Sequence, residues 1–136
     1  MGYKSPRTYT ICGTWTLSTW TDATTYYAHM SLISTAAAAR RIPVPINGII
    51  RQIKVYTYSS TVAGSVEDWV FSVYDGTTDT PIATVGSLSA ERTWYNANLN
   101  YPVSASGYIQ LKTTTPAWAT NPEGTVCQFE IVVEYE

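Results

Sequence analysis

The chain has 136 residues, the commonest size of a single domain and long enough to bury a core without a disulfide or metal staple. Its net charge of −2 excludes the strongly basic footprint of a nucleic-acid binder, and no apolar run approaches the roughly 20 residues of a membrane-spanning helix. Only 13% of residues are charged, against about 25% in typical domains, while 11 Tyr and 5 Trp are many for this length; such a hydroxyl-rich, weakly charged surface suits protein contacts or sugar stacking better than the steering of charged ligands.

Residues 1–7 lack the apolar core of a signal peptide, so synthesis and retention in the cytoplasm are expected, with this segment as an extended arm. The first strand is predicted over residues 8–20, with Ile11, Gly13, Trp15 and Leu17 on one face and Thr10, Cys12, Thr14 and Thr16 on the other. After a turn at 21–23, residues 25–33 read as a second strand. Residues 34–41, with four alanines, can form one helical turn at most. Pro43 and Pro45 restrict 42–46 to an edge or extended segment, and Asn47-Gly48 signals a turn.

The strand expected over 49–58 places Arg51, Ile53 and Val55 in one phase and Gln52, Lys54, Tyr56 and Tyr58 in the other. A polar loop at 59–65 precedes a strand over 67–74, with Trp69, Phe71 and Val73 inward and Tyr74 outward. A turn at 75–79 leads to strands at 81–85 and 92–99. The next strand, 108–113, turns Ile109 and Leu111 inward and Gln110 and Lys112 outward. Last, residues 125–135 alternate Cys127, Phe129, Ile131, Val133 and Tyr135 with Gln128, Glu130, Val132 and Glu134.

These short strands predict an all-β fold, an antiparallel β-sandwich forming a single domain over 1–136. The long connections at 34–46 and 114–123 favour a jelly roll, with an immunoglobulin-like sandwich as the alternative. Cys12 and Cys127 are expected to be reduced and buried; strand parity disfavours a bridge between them.

No constellation for catalysis emerges. His29 is the one histidine, without the Gly-x-Ser-x-Gly elbow of a serine hydrolase. Cys127 lies in an inward phase, unsuited to a nucleophile. Glu67, Asp68, Asp75, Asp79, Glu91 and Glu123 are candidates for paired-carboxylate chemistry, yet all flank turns or strand starts, where acidic residues serve solubility and turn formation. Neither metal-ligand spacing nor a phosphate-binding glycine loop is present, so no cofactor and no metal are expected, and the chain reads as a non-enzyme. The remaining signal is aromatic: Tyr56, Tyr58 and Tyr74 in outward phases, and Trp94, Tyr95 and Trp118 near turns or loop ends. These six are candidates for interface anchors or ligand-stacking platforms, against the plainer reading of core caps.

Four segments carry a resemblance: Ile46-Asn-Gly-Ile-Ile-Arg-Gln-Ile-Lys-Val55, Trp69-Val-Phe-Ser-Val-Tyr-Asp-Gly76, Val103-Ser-Ala-Ser-Gly-Tyr-Ile-Gln-Leu-Lys112 and Phe129-Glu-Ile-Val-Val-Glu-Tyr135. Their strand spacing resembles that of small jelly-roll virion proteins of tailed phages, of the capsid-decoration, head-fibre and trimeric-knob kind. The resemblance implies a homotrimer made in the host cytoplasm and carried in the virion, contacting other copies of itself and a protein such as the major capsid protein. It implies neither a nucleic-acid nor a membrane partner. The alternative is a fibre head domain that binds carbohydrate or a receptor, with surface glycans as partners.

Overall fold

Apolar and polar side chains alternate along the longer strands, so each has one face for a core and one for solvent or a partner. The computed structural model describes residues 5–60, 69–75, 79–85 and 91–136. Outside them lie residues 1–4 of the expected arm, 61–65 of the expected loop, the carboxylates Glu67 and Asp68, and residues 76–78 of the expected turn. The backbone of Trp69 and Asp79 is described, but not their side chains.

The strands are β1 (Arg7–Thr19), β2 (Thr25–Ala28), β3 (Ile33–Ser34), β4 (Ile42–Pro43), β5 (Gly48–Tyr58), β6 (Trp69–Tyr74), β7 (Asp79–Val85), β8 (Glu91–Asn96), β9 (Tyr101–Val103), β10 (Tyr108–Thr114) and β11 (Glu123–Tyr135). One sheet has the order β1-β11-β5-β8, with β9 also on β5; the other runs β3-β2-β10-β6-β7, with β4 on β10. The pairing is nested: β1 with β11, β2 with β10, β5 with β8 and β9, β6 with β7, all antiparallel. A long hairpin rolled across two sheets in this way is a jelly roll, so the immunoglobulin-like alternative falls. The connections at 35–47 and 115–122 pass between sheets, as their length predicts.

Between the sheets the core gathers Trp15, Trp20, Ile53, Val55, Phe71, Val73, Leu111, Phe129 and Ile131. Trp20 meets Trp15 and Tyr26 edge-on, at centroid distances of 5.6 and 4.8 Å. Gly13 is needed for a close approach. A Cβ there would lie 2.5 Å from the Phe129 ring and 2.7 Å from the Met30 carbonyl oxygen, which instead accepts the Thr14 N–H at 2.9 Å.

Several expectations are corrected. Residues 25–33 form two short strands, because the His29 Nδ1 accepts the N–H groups of Ser31 and Leu32 and folds the chain back between them. Arg51 does not share the inward phase of Ile53. The register of β5 against β11 shifts by one between Val132 and Val133, a bulge that turns Ile50 into the core and leaves Arg51 to bind Asn100 and Glu134 at 2.7 and 3.3 Å. Gln110 is buried although its strand phase points away from the core. Cys12 is exposed and only Cys127 is buried, both thiols being free.

Candidate functional site

The outer face of the β1-β11-β5-β8 sheet is built by strand parity from three successive rows. Register aligns Cys12, Glu130, Lys54 and Tyr95 in one row, Thr14, Gln128, Tyr56 and Thr93 in the next, and Thr16, Val126, Tyr58 and Glu91 in the third. Tyr58 is 46% and Tyr95 59% exposed, and Tyr56 between them is half-buried. A shallow hollow of about 310 Å³ opens beside them, lined by Lys54, Tyr56, Thr93, Gln128 and Glu130. The Tyr95 hydroxyl donates to Gln52 Oε1 at 3.0 Å, which holds the ring down along the sheet. Burial, followed by the charge and hydrogen bond of Glu91 and then by Tyr58, raises the Tyr56 phenol above its ordinary value.

The outer face of the other sheet is partly closed by its own chain. The 3-10 turn Ala37–Ala39 crosses it, and Gln110 Nε2 donates to the carbonyls of Ala37 and Arg40 at 2.5 and 2.9 Å. That cover explains the burial of Gln110. Lys112 stands over the Tyr74 ring at 4.7 Å and Tyr74 lies 5.8 Å from Tyr27, while Arg41 covers Tyr108 at 4.3 Å.

The six aromatic candidates therefore separate. Tyr56, Tyr58 and Tyr95 come together on one open face, whereas Tyr74 lies on the opposite side of the sandwich, engaged by Lys112. Trp94 and Trp118 are corrected: they are only 8% and 6% exposed and offer no stacking surface. Trp94 shares the inner phase of Val55, its partner in register, and packs 5.4 Å from Phe71. Trp118 is tied down where its backbone N–H donates to Asp22 Oδ1 at 3.3 Å, beside the Thr115 hydroxyl that donates to the Thr21 carbonyl at 2.7 Å. Lys54, Thr93, Gln128 and Glu130 were not singled out as site residues from sequence. Their signal is the shared outward phase of β5, β8 and β11.

For chemistry, the described residues offer isolated groups. His29 Nδ1 is occupied by two backbone N–H groups of its own turn. Burial pushes the Cys127 thiol well up, the wrong direction for a nucleophile. Asp75 accepts the Tyr101 hydroxyl at 2.7 Å. Among the described residues, no three His, Cys, Asp or Glu side chains gather where a metal ion would sit. Elsewhere, Met30 and Leu32 are each 52% exposed, next to β1.

No family model matches the chain, and no curated protein is similar to it in sequence. Among solved structures, it is similar to the crystal structure of FlhE, at 10% identity over 97% of this chain and 100% of that one, with a TM-score of 0.47. Chains of infectious bursal disease virus are also similar: the Gx strain at 13% identity and TM-score 0.39, over 96% of this chain, and the Gt strain at 11% and 0.38, over 95%. The chain spans 36% of each viral chain.

Proposed function

We propose that this chain is a non-enzymatic virion structural protein, a homotrimeric jelly-roll subunit that decorates a phage capsid or forms a spike on it. The observation that carries the reading is the free edge of β1. This strand is 13 residues long, ends its sheet and pairs with β11 alone among the described strands. Isolated proteins protect such edges with lysine, proline, bulges or brevity. Residues 8–19 contain no charge and no proline, and among the described residues the backbone bond on that side is the one from the Thr14 N–H to Met30. The exposed apolar side chains of Met30 and Leu32 flank the same edge. An edge of this kind is tolerable when a neighbouring copy or a capsid subunit covers it.

The strand-spacing resemblance to phage decoration and knob proteins supports the virion assignment, as does the scarcity of charge. A role without catalysis is supported by the engagement of His29 in its own turn and the burial of Cys127. Sedimentation of the isolated protein, with mass spectrometry of purified particles, tests the reading. The expected result is a trimer that is also a stoichiometric particle component, and dissociation by Thr16→Lys, which sets a charge on the free edge. A monomer absent from particles would overturn the proposal.

A further inference from the structure

We propose that the outer face of the β1-β11-β5-β8 sheet binds a neutral polysaccharide strand along Tyr58, Tyr56 and Tyr95. Tyr58 and Tyr56 are two residues apart on β5, so their rings rise from the sheet about 7 Å apart. Tyr95 on β8 is paired with Lys54 and is therefore the diagonal neighbour of Tyr56, again about 7–8 Å away. The three side chains thus follow one another along the face across two adjacent strands, with the Tyr95 ring turned toward Gln52. The hydrogen bond from Tyr95 to Gln52 lays its ring along the sheet. Tyr95 is 59% exposed, and an exposed aromatic ring is a surface on which a sugar ring stacks its axial C–H groups.

Charge complementarity selects the occupant. Lys54 and Glu130 stand directly opposite each other across β5 and β11, and Arg51 is paired with Glu134 at 3.3 Å. Glu91, opposite Tyr58, is a further carboxylate on this face and is engaged by the Tyr56 phenol, so the face offers no cationic patch to an anionic polymer. The hollow beside Tyr56 offers a different set: the Lys54 ammonium as donor, the Glu130 carboxylate as acceptor, and the Gln128 amide and Thr93 hydroxyl as both. Vicinal hydroxyls of a sugar, each a donor and an acceptor, match this mixture. The volume of about 310 Å³ lies at the small end of ligand pockets, consistent with one ring settling in the hollow while its neighbours lie on Tyr58 and Tyr95.

This site is separate from the assembly edge. Tyr56, Tyr58 and Tyr95 sit on β5 and β8, while the free edge lies on β1, across the sheet beyond β11. The proposal stands or falls independently of any virion.

Affinity electrophoresis through native gels tests it, with hydroxyethylcellulose, galactomannan and dextran as neutral probes and polygalacturonate as the anionic one. At least one neutral polymer should retard the full chain, and polygalacturonate should not. Tyr58→Ala and Tyr95→Ala should each weaken binding about tenfold, and the double variant should abolish it. Tyr74→Ala, on the opposite face, should bind as the parent does. Circular dichroism and thermal melting establish that each variant is folded. Absence of retardation by all three neutral probes would overturn the proposal, as would retardation by polygalacturonate alone or full binding by a folded double variant. So would dissociation of an oligomer by the double variant, which would assign these rings to contact between copies.

Discussion

The two outer faces of this sandwich start from the same sequence signal and end differently. Tyr56 and Tyr58 on β5 and Tyr74 on β6 each alternate outward from apolar neighbours. On the β1-β11-β5-β8 sheet no connection among the described residues lies over the tyrosines, and Tyr58 is 46% exposed. Across the sandwich, the connection after β3 lies over β10, and Lys112 and Arg41 occupy the rings of Tyr74 and Tyr108. Outward phase is thus a property of a strand, whereas availability to a partner depends on where connections run. A connection that binds its sheet closes a face to partners; a face without one stays open.

The largest expected effect falls on what both faces share. Phe129 lies in the core between the sheets, against Gly13, so Phe129→Ala should cost about 3–5 kcal/mol in chemical denaturation. A loss confined to one sheet by hydrogen exchange would break the view that a single core supports both. Sharper is the contrast between Gln110 and Tyr58. Gln110→Ala removes both hydrogen bonds that hold the covering turn and should cost about 1–3 kcal/mol, whereas Tyr58→Ala on the open face should stay within about 0.5 kcal/mol of the parent. Equal costs would erase the distinction between a closed and an open face.

The smallest effect is in pH. Tyr56 is held neutral above the ordinary tyrosine value by burial, then by Glu91, so the neutral phenol is the form the fold favours. Its contribution to stability is complete below the unfolded value, near 10.0, and is lost as pH rises through the higher folded value. Absorbance titration should show one late-ionising phenol fewer in Tyr56→Phe, with no change near neutrality.

The positions of the longer strands and the inward set of β11 were legible from sequence, because a period of two over 11 residues leaves one choice of face. The jelly roll was legible from two long connections, which are too long for hairpins. Trp94 and Trp118 were less so. Trp94 and Tyr95 are adjacent, and neighbours in a strand point to opposite faces, so only one of them is free to face outward; proximity to a loop end does not decide which. Trp118 is outside any strand and is fixed by Asp22, a contact 96 residues away in sequence that no local pattern encodes. Arg51 was misplaced for a third reason: a bulge adds one residue to one strand and reverses the phase beyond it. The open face itself was half visible. Its tyrosines stand out in the sequence, but the hollow beside them needs three strands in register.

Mass-spectrometric mapping of tyrosine modification in the native chain tests the central claim most directly. Under limiting reagent, Tyr58 and Tyr95 should be modified well before Tyr74, and the Gln110→Ala variant should narrow that gap by freeing the opposite face. Equal or faster modification of Tyr74 in the parent chain would contradict the assignment of the β1-β11-β5-β8 sheet as the open, working face.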